Sequence, residues 1–189
     1  MSFLLMPNPI VARRLFLGQS GLVRSGAAVA LLAGTHALAA GAGEAGAADA
    51  QILNTALGAE LEAIAAYQLG AESKLLQKPA LDLALTFQGH HKEHADLLAK
   101  TVEKLGGKPV AAKAQYNFPV EQLKSQADVL KFAAKLEQGA VSAYLGAVPL
   151  FGHRDLAKAA ASILGDEAMH WAILRQALGE VPVPHAYVS

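Results

Sequence analysis

Four stretches of the sequence after residue 50 repeat apolar residues at alternating steps of three and four. This spacing lines one side of an α-helix with apolar side chains and is typical of helices packed in a bundle. No stretch after Ala50 shows the strict alternation of a half-buried strand. The sequence therefore predicts an all-α fold of four long helices. Their buried stripes are Leu53, Leu57, Glu60, Ile64 and Tyr67; Phe87, His91, His94 and Leu98; Leu130, Ala134, Glu137, Val141 and Tyr144; and Leu156, Ala160, Ile163, Glu167, His170 and Leu174.

The composition agrees with helices and excludes several classes of protein. Alanine and leucine, which have high helix propensity, dominate a chain that is 53% hydrophobic and only 6% aromatic. The sequence contains no cysteine, which excludes disulfides, thiolate metal sites and a cysteine nucleophile. The 16 basic side chains balance 16 acidic ones, and no basic patch is interleaved with aromatic residues, so we expect no nucleic-acid partner.

The N-terminal segment has the order of an export signal. Arg13 and Arg14 precede apolar residues, as in the twin-arginine signals of bacteria, and a weakly hydrophobic stretch follows at residues 27–33. Two Ala-x-Ala cleavage frames lie behind it, at residues 37–39 and 48–50. A membrane anchor is the alternative, because residues 25–43 carry no charge, but glycine, serine and His36 dilute this stretch. We predict a signal at residues 1–39, with cleavage as late as residue 50, and a periplasmic or extracellular mature protein without a stable membrane span.

The links between the stripes predict two helical hairpins joined by a long crossover. Residues 77–79 separate the first two stripes and residues 149–154 the last two, so each pair should be antiparallel. The middle link, which contains Gly106, Gly107 and Pro119, is about 15 residues long and could run the length of the bundle. We therefore predict an antiparallel four-helix bundle at residues 50–179 and an extended tail at residues 180–189.

The two hairpins also resemble each other in sequence. Glu60 and Tyr67 are seven positions apart, as are Glu137 and Tyr144. We predict that both tyrosines are core aromatics whose hydroxyls point at buried polar groups. A histidine follows each glutamate by 33 or 34 positions and closes a pair at helical spacing. These pairs are His91-x-x-His94 and Glu167-x-x-His170.

Six ionisable side chains fall on faces that should be buried. Burying a lone carboxylate costs several kcal/mol, so ionised side chains enter a core when they are paired or bound to metal. The stripes hold no lysine or arginine as a counter-charge. Residues three apart on a helix lie side by side, so each x-x-His pair can present two ligands to one centre. We predict these metal ligands: Glu60, His91, His94, Glu137, Glu167 and His170.

This pattern resembles the ferritin-like di-metal carboxylate superfamily, and more narrowly the bacterial ferritin-like domains carried behind export signals. The family has Glu on the first and third helices and Glu-x-x-His on the second and fourth. The resemblance covers about residues 50–179. The matching residues are Glu60, His94, Glu137, Glu167 and His170.

One position departs from the family pattern. His91 stands where the family places a bridging glutamate, and an imidazole nitrogen binds one metal, which leaves Glu167 as the bridging carboxylate. The site is then dinuclear with one carboxylate bridge, mononuclear or degraded. Alternatively, His91 and His94 are core histidines bonded to Glu60 and Glu167 without metal. His90 is about 100° around the helix from His91, so we predict it at the surface. We predict the same for Glu62, His153 and His185.

The ligand types and the resemblance together suggest a function. Histidine with carboxylate suits one or two ions of iron or manganese, with zinc as a further candidate. The resemblance implies reaction with dioxygen or peroxide, as an oxidase, peroxidase or ferroxidase. The alternative is a non-catalytic stress or desiccation-type protein, or a scaffold, with a relic or structural metal site. The sequence is compatible with a homo-oligomer.

Overall fold

The computed structural model describes residues 43–188, so the predicted export signal at residues 1–39 lies outside the described residues. No strand occurs within residues 43–188, which confirms the predicted all-α fold. In this part of the chain, no helix combines the length and apolar character needed to cross a membrane. The helices are α1 (Glu44–Glu72), α2 (Lys78–Lys104), α3 (Gln126–Ala147) and α4 (Arg154–Ala177), with 3₁₀ turns at Val120–Gln122 and Val148–Leu150.

The helices form two hairpins, as the sequence predicts. α1 packs mainly against α2 and α3 mainly against α4, while the hairpins meet through α1 with α3 and α2 with α4. The connections within each hairpin are short, whereas residues 105–125 cross over from α2 to α3. Two hairpins joined by a long middle link are typical of the ferritin-like bundle.

The second helix of each hairpin ends in the same way. A glycine follows each helix with a positive φ, 79° at Gly106 and 76° at Gly179, a backbone region that glycine enters without strain. The amide of the next residue then donates to the carbonyl five positions back, at 2.9 Å in both cases. This is the Schellman motif, which satisfies carbonyls at a helix C-terminus. Its occurrence after both α2 and α4 agrees with the repeat seen in the sequence.

The apolar core has two parts, with polar side chains between them. One part surrounds Leu57, Val102 and Leu156, and the other surrounds Phe87 and Leu174. Along α1, Glu60 lies between Leu57 of the first part and Tyr67 of the second. The bundle therefore holds a polar layer in its middle. One apolar cluster lies on each side of this layer along the bundle axis.

Asp49 joins the first hairpin to the second. Its buried carboxylate accepts hydrogen bonds from the amides of Gly152 and His153, at 2.8 and 3.0 Å, and from His153 Nδ1 at 2.6 Å. His153 immediately precedes α4, so this carboxylate satisfies donors at the start of that helix. The predicted surface position of His153 is only partly right, because its side chain is about one-fifth exposed and is bonded to Asp49. α1 begins at Glu44, before the predicted bundle start at residue 50.

Candidate metal centre

The polar layer contains all six side chains that the sequence analysis singled out. Each helix contributes one or two of these side chains from its buried stripe. Five of the six residues are at most 3% exposed, and His94 is half-buried at the edge. The contributions are Glu60 from α1, His91 and His94 from α2, Glu137 from α3, and Glu167 and His170 from α4. The structure thus brings the predicted residues together, while their role as metal ligands remains a prediction.

The six side chains divide into two overlapping groups. Glu60 and His94 belong to the first group and Glu137 and His170 to the second, while His91 and Glu167 belong to both. Within each group the ligand atoms lie within 4.8 Å of one another. Such an arrangement can hold two ions side by side, with Glu167 able to offer one oxygen to each.

His91 lies between the carboxylates of the two hairpins. Its Nδ1 is 2.7 Å from Glu60 Oε2 and its Nε2 is 3.3 Å from Glu137 Oε1. The sequence predicts that His91 binds a single metal, whereas the structure places one ring nitrogen in each half of the site. When both nitrogens are protonated, the ring donates to both carboxylates and supplies the positive charge that the stripes lack.

Two tyrosines orient the same carboxylates from the opposite hairpin. Tyr67 on α1 donates its hydroxyl to Glu137 on α3, and Tyr144 on α3 donates to Glu60 on α1 at 2.5 Å. Burial and the neighbouring carboxylates raise the pKa of both hydroxyls well above 10, so both remain neutral donors. Both hydroxyls therefore point at buried carboxylates, as the sequence predicts.

Five buried polar atoms around this cluster have no hydrogen-bond partner. They meet one another only in ion pairs, His94 Nδ1 with Glu167 Oε1 at 3.2 Å and His170 Nδ1 with Glu137 Oε2 and Glu167 Oε2 at 3.5 Å. A buried polar atom without a hydrogen bond is costly. A bound cation would satisfy all five at once, because carboxylate oxygens and imidazole nitrogens are ligands of iron, manganese and zinc. The donor set therefore fits a first-row divalent metal. The atoms are His94 Nδ1, Glu137 Oε2, Glu167 Oε1, Glu167 Oε2 and His170 Nδ1.

The charges of the cluster depend on one another. Burial alone would lower the pKa of each histidine, but hydrogen bonds to the surrounding carboxylates raise it to about 9 for His91, about 12 for His94 and about 11 for His170. Burial alone would raise the pKa of Glu60 and Glu137, yet hydrogen bonds with the histidines hold both pKa values below their usual range. The metal-free cluster thus holds protons that a metal must displace.

Two further residues lie against the histidines of the cluster. Asp166 Oδ2 is 3.4 Å from His94 Nε2 and 3.2 Å from His170 Nε2. Burial would raise the pKa of Asp166, but these histidines hold it well below its usual range. The side chain of His90, which the sequence predicts at the surface, is 41% exposed, and its Nδ1 also lies 2.8 Å from His170 Nε2. The four-residue spacing of Asp166 and His170 was the signal that could have found Asp166.

Comparisons with known proteins define the class of this chain. Residues 48–180 match the family model for the ferritin-like domain. The chain therefore belongs to the ferritin-like domain family. No curated protein matches it.

Two solved structures share the fold. The crystal structure of rv2844, a conserved hypothetical protein from Mycobacterium tuberculosis, superposes with a TM-score of 0.66 at 24% identity, covering 76% of this chain and 99% of the other. That of a ferritin-like, diiron-carboxylate protein from Bacillus anthracis str. Ames has a TM-score of 0.62 at 19% identity, covering 72% and 99%. At these identities the likeness establishes the fold alone.

Proposed function

We propose that this chain is an exported ferritin-like protein whose buried Glu/His cluster binds one or two first-row divalent metal ions. The observation that carries the proposal is the set of five buried ligand atoms that make no hydrogen bond and lie close together in the middle of the bundle. The solved diiron-carboxylate protein with the same fold supports a metal at this place. Iron and manganese are the preferred ions and zinc is a further candidate, because all three accept mixed nitrogen and oxygen ligands.

The residues around the cluster suit an oxidase, peroxidase or ferroxidase. Bound iron would supply redox chemistry with dioxygen or peroxide. Tyr67 and Tyr144 fix the rotamers of the two glutamates that they contact. Asp166 accepts from the outer nitrogens of His94 and His170, which leaves each Nδ1 free to face the centre. The apolar layers along the bundle on both sides limit the access of water.

One observation favours the non-catalytic alternative. His91 already lies between two carboxylates, one in each half of the cluster, so the cluster has an internal counter-charge without metal. A stress or desiccation-type protein, or a scaffold, could use this arrangement as a structural ion-pair network. In that case a metal would bind weakly or would act only to stabilise the bundle.

Elemental analysis separates these two functions. We expect protein purified from cells supplied with iron and manganese to contain one to two equivalents of metal. A Glu137→Gln/Glu167→Gln variant should lose it, whereas Glu62→Gln, a half-buried glutamate outside the cluster, should keep it. Consumption of added ferrous iron together with dioxygen, seen in the wild type and absent from the double variant, would support oxidase-type chemistry. A folded wild type without bound metal would refute the proposal.

Export by the twin-arginine route is part of the same proposal. The position of Asp49 supports cleavage after Ala39, because cleavage after Ala50 would remove the carboxylate that binds the start of α4. N-terminal sequencing of the exported protein should therefore find residue 40. Replacing Arg13 and Arg14 by lysine should block export, and unchanged export of that variant would contradict the proposed route.

A further inference from the structure

Three ligand atoms form a separate group on the outer side of the cluster, between α2 and α4. His90 Nδ1 lies 2.8 Å from His170 Nε2, and Asp166 Oδ2 lies 3.2 Å from each of these nitrogens. The side chain of His90 is 41% exposed and that of Asp166 is 24% exposed, whereas His170 is buried. The group therefore extends from solvent to the edge of the inner cluster.

The dimensions of this group, whose atoms are joined by a hydrogen bond and ion pairs, also fit a metal site. With metal–ligand bonds of about 2.1 Å, neighbouring ligands are separated by about 3.0 Å in octahedral and about 3.4 Å in tetrahedral coordination. The three observed separations, from 2.8 to 3.2 Å, are close to the octahedral value. Two imidazoles and one carboxylate on one side of an ion leave its remaining positions open to solvent water.

His170 belongs to this outer group and to the inner cluster through its two different nitrogens. Its Nε2 faces His90 and Asp166, while its Nδ1 lies 3.5 Å from both Glu137 Oε2 and Glu167 Oε2. A neutral imidazole has one lone-pair nitrogen, so His170 can serve only one metal at a time. An ion in the outer group and an ion that uses His170 in the inner cluster therefore exclude each other.

We propose that His90, Asp166 and His170 form an outer station that receives a hydrated divalent metal ion from solvent and delivers it to the inner cluster. The proposal rests on the proposed function, because the inner cluster is the destination. On transfer, the protonated nitrogen of His170 changes: Nδ1 loses its proton and binds the ion, and Nε2, which has released the ion, takes up a proton and donates a hydrogen bond to Asp166. His94 lies beside the same path, with Nε2 toward Asp166 and Nδ1 toward Glu167.

The test is the rate at which metal-free protein takes up Co²⁺ without oxygen, followed by competition with a fluorescent chelator. Wild type and His185→Gln, which changes an exposed histidine of the tail, should load at the same rate. His90→Gln should load about tenfold more slowly and reach the same final stoichiometry, because it removes one ligand of the station and none of the inner cluster. Loading of His90→Gln at the wild-type rate would overturn the proposal.

A second measurement detects the station directly. In the Glu137→Gln/Glu167→Gln variant, which should lose the tightly bound inner metal, equilibrium dialysis against excess Co²⁺ should find one weakly bound ion that is lost when His90→Gln is added. Retention of that ion in the triple variant would also overturn the proposal, and if the double variant does not fold, the loading rates decide alone. Wild-type protein that binds no Co²⁺ at all would refute the proposed function as well, which distinguishes the two failures.

Discussion

Glu167→Gln is the substitution that most directly tests whether the cluster is a metal site or a network of ion pairs. Glu167 is fully buried, belongs to both groups of ligands, and neither of its oxygens has a hydrogen-bond partner. The amide that replaces it has nearly the same shape. In the metal-free protein, the substitution removes the cost of burying a charged carboxylate. It also removes the attraction of that charge to the histidines 3.2–3.7 Å away. The informative quantity is therefore the stabilisation that added metal produces.

The expected size of that stabilisation follows from mass action. Free metal at 100 times its Kd stabilises a folded protein by about 2.7 kcal/mol, which corresponds to a rise in Tm of about 5–10 °C for a domain of this size. If the loss of one ligand weakens binding by about 100-fold, the same metal concentration stabilises the variant by only about 0.4 kcal/mol. The metal-dependent increment should thus nearly disappear.

The assay is urea unfolding followed by far-UV circular dichroism, with EDTA and with a fixed excess of Mn²⁺. Glu62→Gln is the matched control, because it removes the charge of a glutamate on α1 that lies outside the cluster. It should show the wild-type increment. An equal increment in wild type and Glu167→Gln would show that the stabilising metal binds elsewhere, and the assignment of the cluster as a metal site would fall.

Three further predictions follow from particular contacts. Asp49→Asn should lower the free energy of unfolding by about 2–3 kcal/mol, because it weakens three hydrogen bonds to a buried carboxylate; a loss below about 0.5 kcal/mol in urea unfolding would contradict this. With EDTA, stability should fall as the pH rises from about 6.5 to 9, because the folded protein keeps protons on histidines whose pKa is raised while the unfolded chain releases them. Thermal midpoints measured between these pH values check this, a constant midpoint being the contrary result. His91→Glu should increase the occupancy of a second metal ion and speed the oxidation of added ferrous iron; a lower Tm without a gain in bound metal would mean that His91 is only a counter-charge.

The fold was predictable because its main determinant is local. Apolar stripes at helical spacing specify the helices, and the lengths of the links specify two hairpins and a crossover. The start of α1 was not predictable in this way. Residues 44–50 are small or polar and show no stripe, and the contacts of Asp49 are with residues 152 and 153, far away in sequence. A helix end held by such a tertiary contact leaves no periodic signal.

The inner cluster was predictable for the same reason that the core was. A carboxylate or imidazole on an apolar stripe must be buried, and four such stripes in one bundle must meet. His90 and Asp166 are each one position away from a stripe, beside His91 and Glu167, so helical spacing assigns them to the flank. Whether two flanking residues meet depends on how closely α2 approaches α4, and the sequence of either helix alone does not contain that distance.

The repeat in the sequence also explains why the two halves of the cluster differ. In a symmetric pair of hairpins, position 91 would carry a glutamate like Glu167. With His91 there instead, both oxygens of Glu60 are hydrogen-bonded, one to Tyr144 and one to His91. The unpartnered atoms are concentrated in the other half, around Glu167 and its neighbours on α3 and α4. A first ion that binds through Glu137 Oε2, Glu167 Oε2 and His170 Nδ1 therefore gains ligand atoms that make no hydrogen bond, and it breaks none. A second ion must displace the bond between Glu60 and His91, so it should bind more weakly than the first.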